Sequence, residues 1–120
     1  MRYLINVVHD RPADFEGDIT DLHEAMGALV SELAADGVLV DAAGLEPTEQ
    51  ATRVDLHEGK VKVVDGPFAE TKEWIGGYFI VQCRGQEEAV EIARRSAELH
   101  RVHAPGFAII HEVRGILDGE

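Results

Sequence analysis

Asp65-Gly66-Pro67-Phe68-Ala69-Glu70-Thr71-Lys72-Glu73, followed by Trp74-Ile75-Gly76-Gly77-Tyr78, brings a carboxylate, a rigid turn, aromatics and a charged run into one segment. Pro67 fixes its own φ and drives Gly66 away from helical backbone, while Gly66 lets the chain pass close to whatever lies above it. Asp65 is therefore expected to be held at a strand end, as a carboxylate fixed in place. A purely structural reading stands beside this one, in which Asp65 makes an Asx-turn that satisfies the backbone of the loop. Phe68, Trp74, Tyr78 and Phe79 bracket the carboxylate. Phe68 and Trp74 are candidate walls of a small-molecule pocket, with core packing the equal alternative. Glu70, Lys72 and Glu73 read as a solvated charged loop.

Histidine supplies the other half of acid-base chemistry, because imidazole titrates near neutral pH. Among six histidines, His23 falls in the first turn of an expected helix, at the border of an apolar stripe near Met26 and Val30. A helix N-terminus disfavours imidazolium and a nearby carboxylate opposes that effect, so His23 is a candidate proton acceptor rather than an assigned one. Its other reading is a partly buried surface histidine. His9, at a strand end, and His111, inside the last strand, are further binding candidates, since strand ends can face a shared cleft. The spacing does not suggest a metal: His57 falls in a hairpin, and His100-x-x-His103 lies at a helix end without a Cys or third ligand in a known pattern. No metal or cofactor is expected. A phosphate-binding Gly-rich loop, a Cys-x-x-Cys pair and a Gly-x-Ser-x-Gly elbow are all absent from the sequence.

Composition narrows the partners. A chain of 120 residues reads as one domain, residues 1–120, large enough to fold without disulfide or metal staples. The lone Cys83 sits in an apolar strand-like run and is expected as a buried thiol, which fits a reducing cytoplasm. Net charge is −12 with 11 Lys plus Arg, so nucleic acid is not an expected partner, because phosphate binding needs clustered cations. The apolar run at the N-terminus breaks at Asn6, and no segment reaches membrane-spanning length, so no membrane role is expected either. Arg94, Arg95 and Arg101 read as cations complementing the dipole at the end of a helix.

The elements that must position these residues alternate in type. Tyr3 to His9 reads as a strand with apolar residues on both sides, followed by a polar loop from Asp10 to Asp18. Asp21 with Glu24 resembles a capping box opening a helix whose stripe is Leu22, Met26, Leu29, Val30 and Leu33, and which Gly37 terminates. Val38 to Val40 is a short strand, and Asp41 to Gln50 a loop. Thr52 to His57 and Lys60 to Val64 form a hairpin across Glu58-Gly59, which supplies the positive φ of a tight turn. Gly77 to Cys83 is a strand; a second helix follows, with Glu87 and Glu88 in its first turn and Ala89, Ile92, Ala93 and Ser96 as its packing face. Phe107 to Arg114 is the last strand.

This order predicts an α+β fold of the ferredoxin-like split β-α-β type, an antiparallel sheet with two helices on one face and an added hairpin. The second face needs a cover. Tyr3, Phe79, Phe107 or Ile109 are expected to make it apolar, and a homodimer packed face to face removes it from water.

The segment Asp65 to Glu73, with Gly76-Gly77-Tyr78, Glu87-Glu88-Ala89 and Glu112-Val113-Arg114, resembles the YCII-related proteins of the DGPF subgroup over nearly the whole chain. The resemblance implies a dimeric α/β-barrel and an active site made from a His and an Asp, here His23 and Asp65. It implies small bacterial proteins, some associated with extracytoplasmic-function sigma factors. Two functions follow from it. One is a dimeric enzyme performing proton abstraction, elimination or isomerisation on a small organic molecule; the other is a non-catalytic ligand-binding or regulatory module acting with a sigma factor or another protein.

Overall fold

The computed structural model describes residues 1–9, 19–46, 50–66, 74–106 and 108–117, with Trp74 given by its backbone. Its elements are β1 (Arg2–His9), α1 (Thr20–Ala35), β2 (Leu39–Gly44), β3 (Thr52–His57), β4 (Lys60–Asp65), β5 (Trp74–Gln82), α2 (Gln86–His103) and β6 (Ile109–Gly115). Two helices and antiparallel strands make this an α+β chain. Four strands form one sheet in the order β2-β5-β1-β6, and β3 and β4 form a second sheet by themselves.

Both helices lie on one side of the four-stranded sheet. Leu22, Leu29 and Leu33 of α1 are buried, with Met26 and Val30 half-buried against the core. Burial on α2 follows Ala89, Ile92, Ala93 and Ser96 as its periodicity predicts, and adds His100. α1 ends as the sequence predicts. Gly37 takes φ +74°, its amide bonds the Ala34 carbonyl at 3.1 Å, and the Val38 amide bonds that of Leu33 at 3.0 Å, a Schellman closure. The start of α1 differs from expectation. Ile19 is the N-cap, without a side-chain bond, and Asp21 lies inside the first turn, where its charge favours the dipole but cannot cap. The arginines differ too: Arg95 reaches Glu32 of α1 at 2.7 Å, and Arg94 and Arg101 pair with Glu91 and Glu98 within α2. Arg101, His100 and His103 occupy the last turn.

Tyr3, Ile5, Val7, Phe79, Val81 and Cys83 are buried beneath the helices, with Ile109, Val113, Leu39 and Ala42 packed around them. This corrects the expected apolar second face. Tyr3, Phe79 and Ile109 belong to the covered side, whereas Leu4, Val8, Tyr78, Ile80 and Ile110 stand on the open side; Phe107 lies outside the described residues. A period of two separates the faces of a strand without saying which one the helices take. β2 is also longer than expected, running to Gly44 because Ala42, Ala43 and Gly44 pair with Phe79, Tyr78 and Gly77 of β5. Cys83 is buried as predicted; burial pushes its thiol pKa up, and Sγ lies 3.5 Å from the Gly85 carbonyl.

Candidate functional site

One end of the sheet gathers the candidate residues. β1 ends at His9, which pairs with Trp74 at the start of β5 and with Ile109 at the start of β6; β2 ends at Gly44, opposite Gly77. The chain leaves β1 at this end to begin α1, and α2 finishes at His103, shortly before Ile109. The β3–β4 hairpin departs from the end of β2 and returns to the start of β5, so its base, Thr52 and Asp65, is tethered to the same end. Connectivity thus brings His9, the first turn of α1 with His23, and Asp65 to one end of the fold. Catalytic residues are commonly carried by such loop-bearing ends.

Gly76 and Gly77 build this end. Val7 pairs with Gly77 and Val8 with Ile75, so Gly76 is the extra residue of a β-bulge. A Cβ at Gly76 would overlap the His9 imidazole, which therefore occupies the space the glycine leaves open. A Cβ at Gly77 would lie 2.9 Å from the Ala43 carbonyl oxygen, so the second glycine lets β2 approach β5. The Leu45 amide then donates to the Gly76 carbonyl at 2.9 Å. His9 is half-buried here. The sequence held a signal for the bulge and for the approach of β2, since paired glycines inside a strand mark one or the other, but none for the seat of His9.

Asp65 is the last residue of β4 and is exposed. Its Oδ1 accepts a hydrogen bond from the Thr52 hydroxyl at 2.9 Å, directly across the ladder. An Asx-turn would need the amide two residues on, and Pro67 has none. The loop is met by backbone instead: Gly66 N–H donates to the Ala51 carbonyl at 2.8 Å. The structural role of Asp65 is thus a cross-strand bond at the foot of the hairpin, which replaces the Asx-turn reading.

His23 is exposed, which corrects its expected place at the border of the stripe. It follows buried Leu22 by one residue, about 100° around the helix, and so points past the edge of the packed face. Its amide donates to the Ile19 carbonyl at 3.0 Å. No hydrogen bond or ion pair among the described residues joins His23 to Asp65.

His111 is half-buried beneath α2. Its Nε2 is 2.7 Å from the Ser96 hydroxyl, and its ring meets His100 edge-on with centroids 5.4 Å apart. Burial, reinforced by His100, lowers its pKa to about 4, so the ring is neutral at ordinary pH. His100 Nδ1 donates to the Ser96 carbonyl at 2.8 Å, and the Ser96 hydroxyl also approaches Met26 Sδ at 3.6 Å. His111 Nδ1 is buried without a partner among the described residues. This polar cluster lies beneath α2, and the register places His111 on the same face of the sheet as His9, since Val7 pairs with His111 and His9 with Ile109.

Sequence reasoning passed over a carboxylate on the open face. Tyr78 donates its hydroxyl to Asp41 Oδ2 at 2.8 Å, while Asp41 Oδ1 accepts the Ala42 amide at 2.9 Å. The hydrogen bond to Asp41 raises the Tyr78 pKa, so the phenol stays protonated. Trp74 opposes His9 in register, but its side chain and all of Phe68 lie outside the described residues. Among the described residues no three His, Cys, Asp or Glu side chains gather as metal ligands, and no helix is long and apolar enough to cross a membrane.

Two comparisons bear on this arrangement. A family model described as the YCII-related domain matches residues 1–101. An uncharacterized protein of Rhizobium meliloti (strain 1021) is 36% identical over 69 residues, 58% of this chain and 56% of that relative. The chain thus matches little more than half the length of that curated relative.

Proposed function

The chain belongs to the YCII-related family, and we propose that it is a small cytoplasmic homodimer that moves a proton on a modest organic molecule at the His9 end of its sheet. The observation that carries this reading is the His9 imidazole seated in the space left by Gly76. An imidazole held in one orientation by its surroundings loses little freedom when it engages a substrate, which is what general acid-base catalysis requires. In this reading His9 is the proton acceptor. Asp65, with one oxygen held by Thr52, orients the imidazole or the substrate, and His23 completes the polar rim. Phe68 and Trp74 wall the pocket. No cofactor takes part.

The same reading takes the whole chain as one ferredoxin-like domain of the DGPF type. The strand order β2-β5-β1-β6, the two helices on one face and the Asp-Gly-Pro-Phe segment support it. Leu4, Val8, Ile80 and Ile110 on the open face support a homodimer that shields them from water.

A thermal-shift screen of small organic acids and carbonyl compounds tests the site, because a ligand of the native state raises its apparent stability. Wild type is expected to gain several degrees with at least one compound class, and Asp65→Asn and His9→Gln to lose that gain while remaining folded. An identical shift in both variants contradicts the proposal.

A further inference from the structure

The β3–β4 arm is amphipathic, and its apolar side faces water. Val54 opposes Val63 and Leu56 opposes Val61, so these four side chains share one face of the hairpin, with Thr52 and Asp65 at its foot. Their exposures are 68%, 66%, 73% and 70% in that order. The other side carries Arg53, Asp55, His57, Lys60 and Lys62. A lone two-stranded hairpin is at best marginally stable in water, and an apolar patch on the order of a few hundred Å² is of the size that marks an interaction surface.

Charge and shape indicate what covers it. Residues 52–65 hold three Lys or Arg and three Asp or Glu, so the arm is neutral. The remaining residues hold 8 of the 11 cations and 20 of the 23 acids, and so carry the whole −12. Two copies repel each other through their bodies, whereas the arm approaches an acidic body without that penalty. The chain is spread out, with a radius of gyration of 16.0 Å against roughly 13.6 Å for a compact domain of this length. Two apolar surfaces meet water to different degrees, the exposed arm and the half-buried open face of the sheet. The arm patch alone falls short of the ~1,600 Å² of a standard interface, so it extends a two-fold interface rather than forming one by itself.

We infer that a second copy of this chain covers the apolar side of the β3–β4 arm, and in doing so walls the Thr52–Asp65 end of the site. The inference rests on the homodimer reading above and adds the surface that closes the dimer. It is tested on the full chain carrying Val54→Thr, Leu56→Thr, Val61→Thr and Val63→Thr together, which removes apolar surface but keeps strand-forming side chains. Sedimentation equilibrium is expected to show a wild-type dimer and a variant whose dissociation constant is about a hundredfold weaker, with the far-UV circular dichroism unchanged. An unchanged dissociation constant overturns the inference and leaves the homodimer standing. A wild type that is monomeric at ~100 μM overturns both, because a standard-sized interface holds together at that concentration. If the quadruple variant does not fold, Leu56→Thr alone is measured, with a weakening of about tenfold expected and none contradicting the inference.

Discussion

The four-stranded sheet and the β3–β4 arm both sort their side chains onto two faces with a period of two, yet their apolar faces meet opposite fates. In the sheet, Ile5, Val81 and Phe79 vanish beneath two helices; in the arm, Val54, Leu56, Val61 and Val63 remain in water. Alternation says which side chains share a face, and connectivity decides whether a helix from the same chain can reach it. α1 and α2 follow β1 and β5 and fold back over them, whereas among the described residues no helix follows either strand of the arm before β5 begins. Hydrophobic residues thus stabilise the fold in one region and stay in water in the other.

Truncation separates the two regions most sharply. Leu33→Ala is expected to destabilise the subunit by about 3 kcal/mol, because Leu33 is 2% exposed and its removal leaves a cavity. Leu56→Ala should change subunit stability by less than about 0.5 kcal/mol when measured by urea unfolding at a concentration where the subunit is monomeric. Equal losses would mean that the arm packs within its own subunit.

Half-buried His111 of the sheet offers a second contrast, with exposed His57 of the arm. His111 has a folded pKa near 4 against 6.5 when free, so the folded state disfavours its protonation. Its contribution is whole above pH 6.5 and is lost as the pH falls to 4, by about 2 kcal/mol after allowing for partial screening by solvent. Between pH 7.5 and 4.5, urea unfolding should show wild type losing more stability than His111→Gln by most of that amount. Parallel losses in wild type and His111→Gln would remove this imidazole from the account.

The smallest effect belongs to the junction of the two regions. Thr52→Val removes the hydroxyl that holds Asp65 and should cost no more than about 1 kcal/mol in stability. Ligand affinity at the proposed site should fall more than stability does, since Asp65 is then free to turn. A Thr52→Val protein that binds as wild type does would detach the hairpin foot from the site.

Much of this architecture was legible in the residues themselves. Gly37 closes α1, Glu58 and Gly59 take the positive φ of the hairpin turn, and Cys83 is buried, because each depends on local chemistry or composition. What escaped depended on neighbours distant in sequence. Asp41 to Gly44 is small and polar and reads as a loop, and becomes strand only because β5 lies beside it. Tyr3 and Phe79 face the helices for reasons no single strand contains. Of the site, the place of Asp65 at a strand end was readable, and so was the failure of its Asx-turn, given Pro67. The seat of His9 was not: the glycine that makes room for it lies across the sheet, 67 positions along the chain.

The proposed site at the His9 end is tested most directly by amide chemical-shift mapping with the strongest compound from the thermal screen. Perturbations clustered at His9, His23, Asp65, Gly76 and Gly77 are the predicted result. Perturbations confined to the open face around Leu4, Tyr78 and Ile80, with the His9 end unchanged, would contradict it.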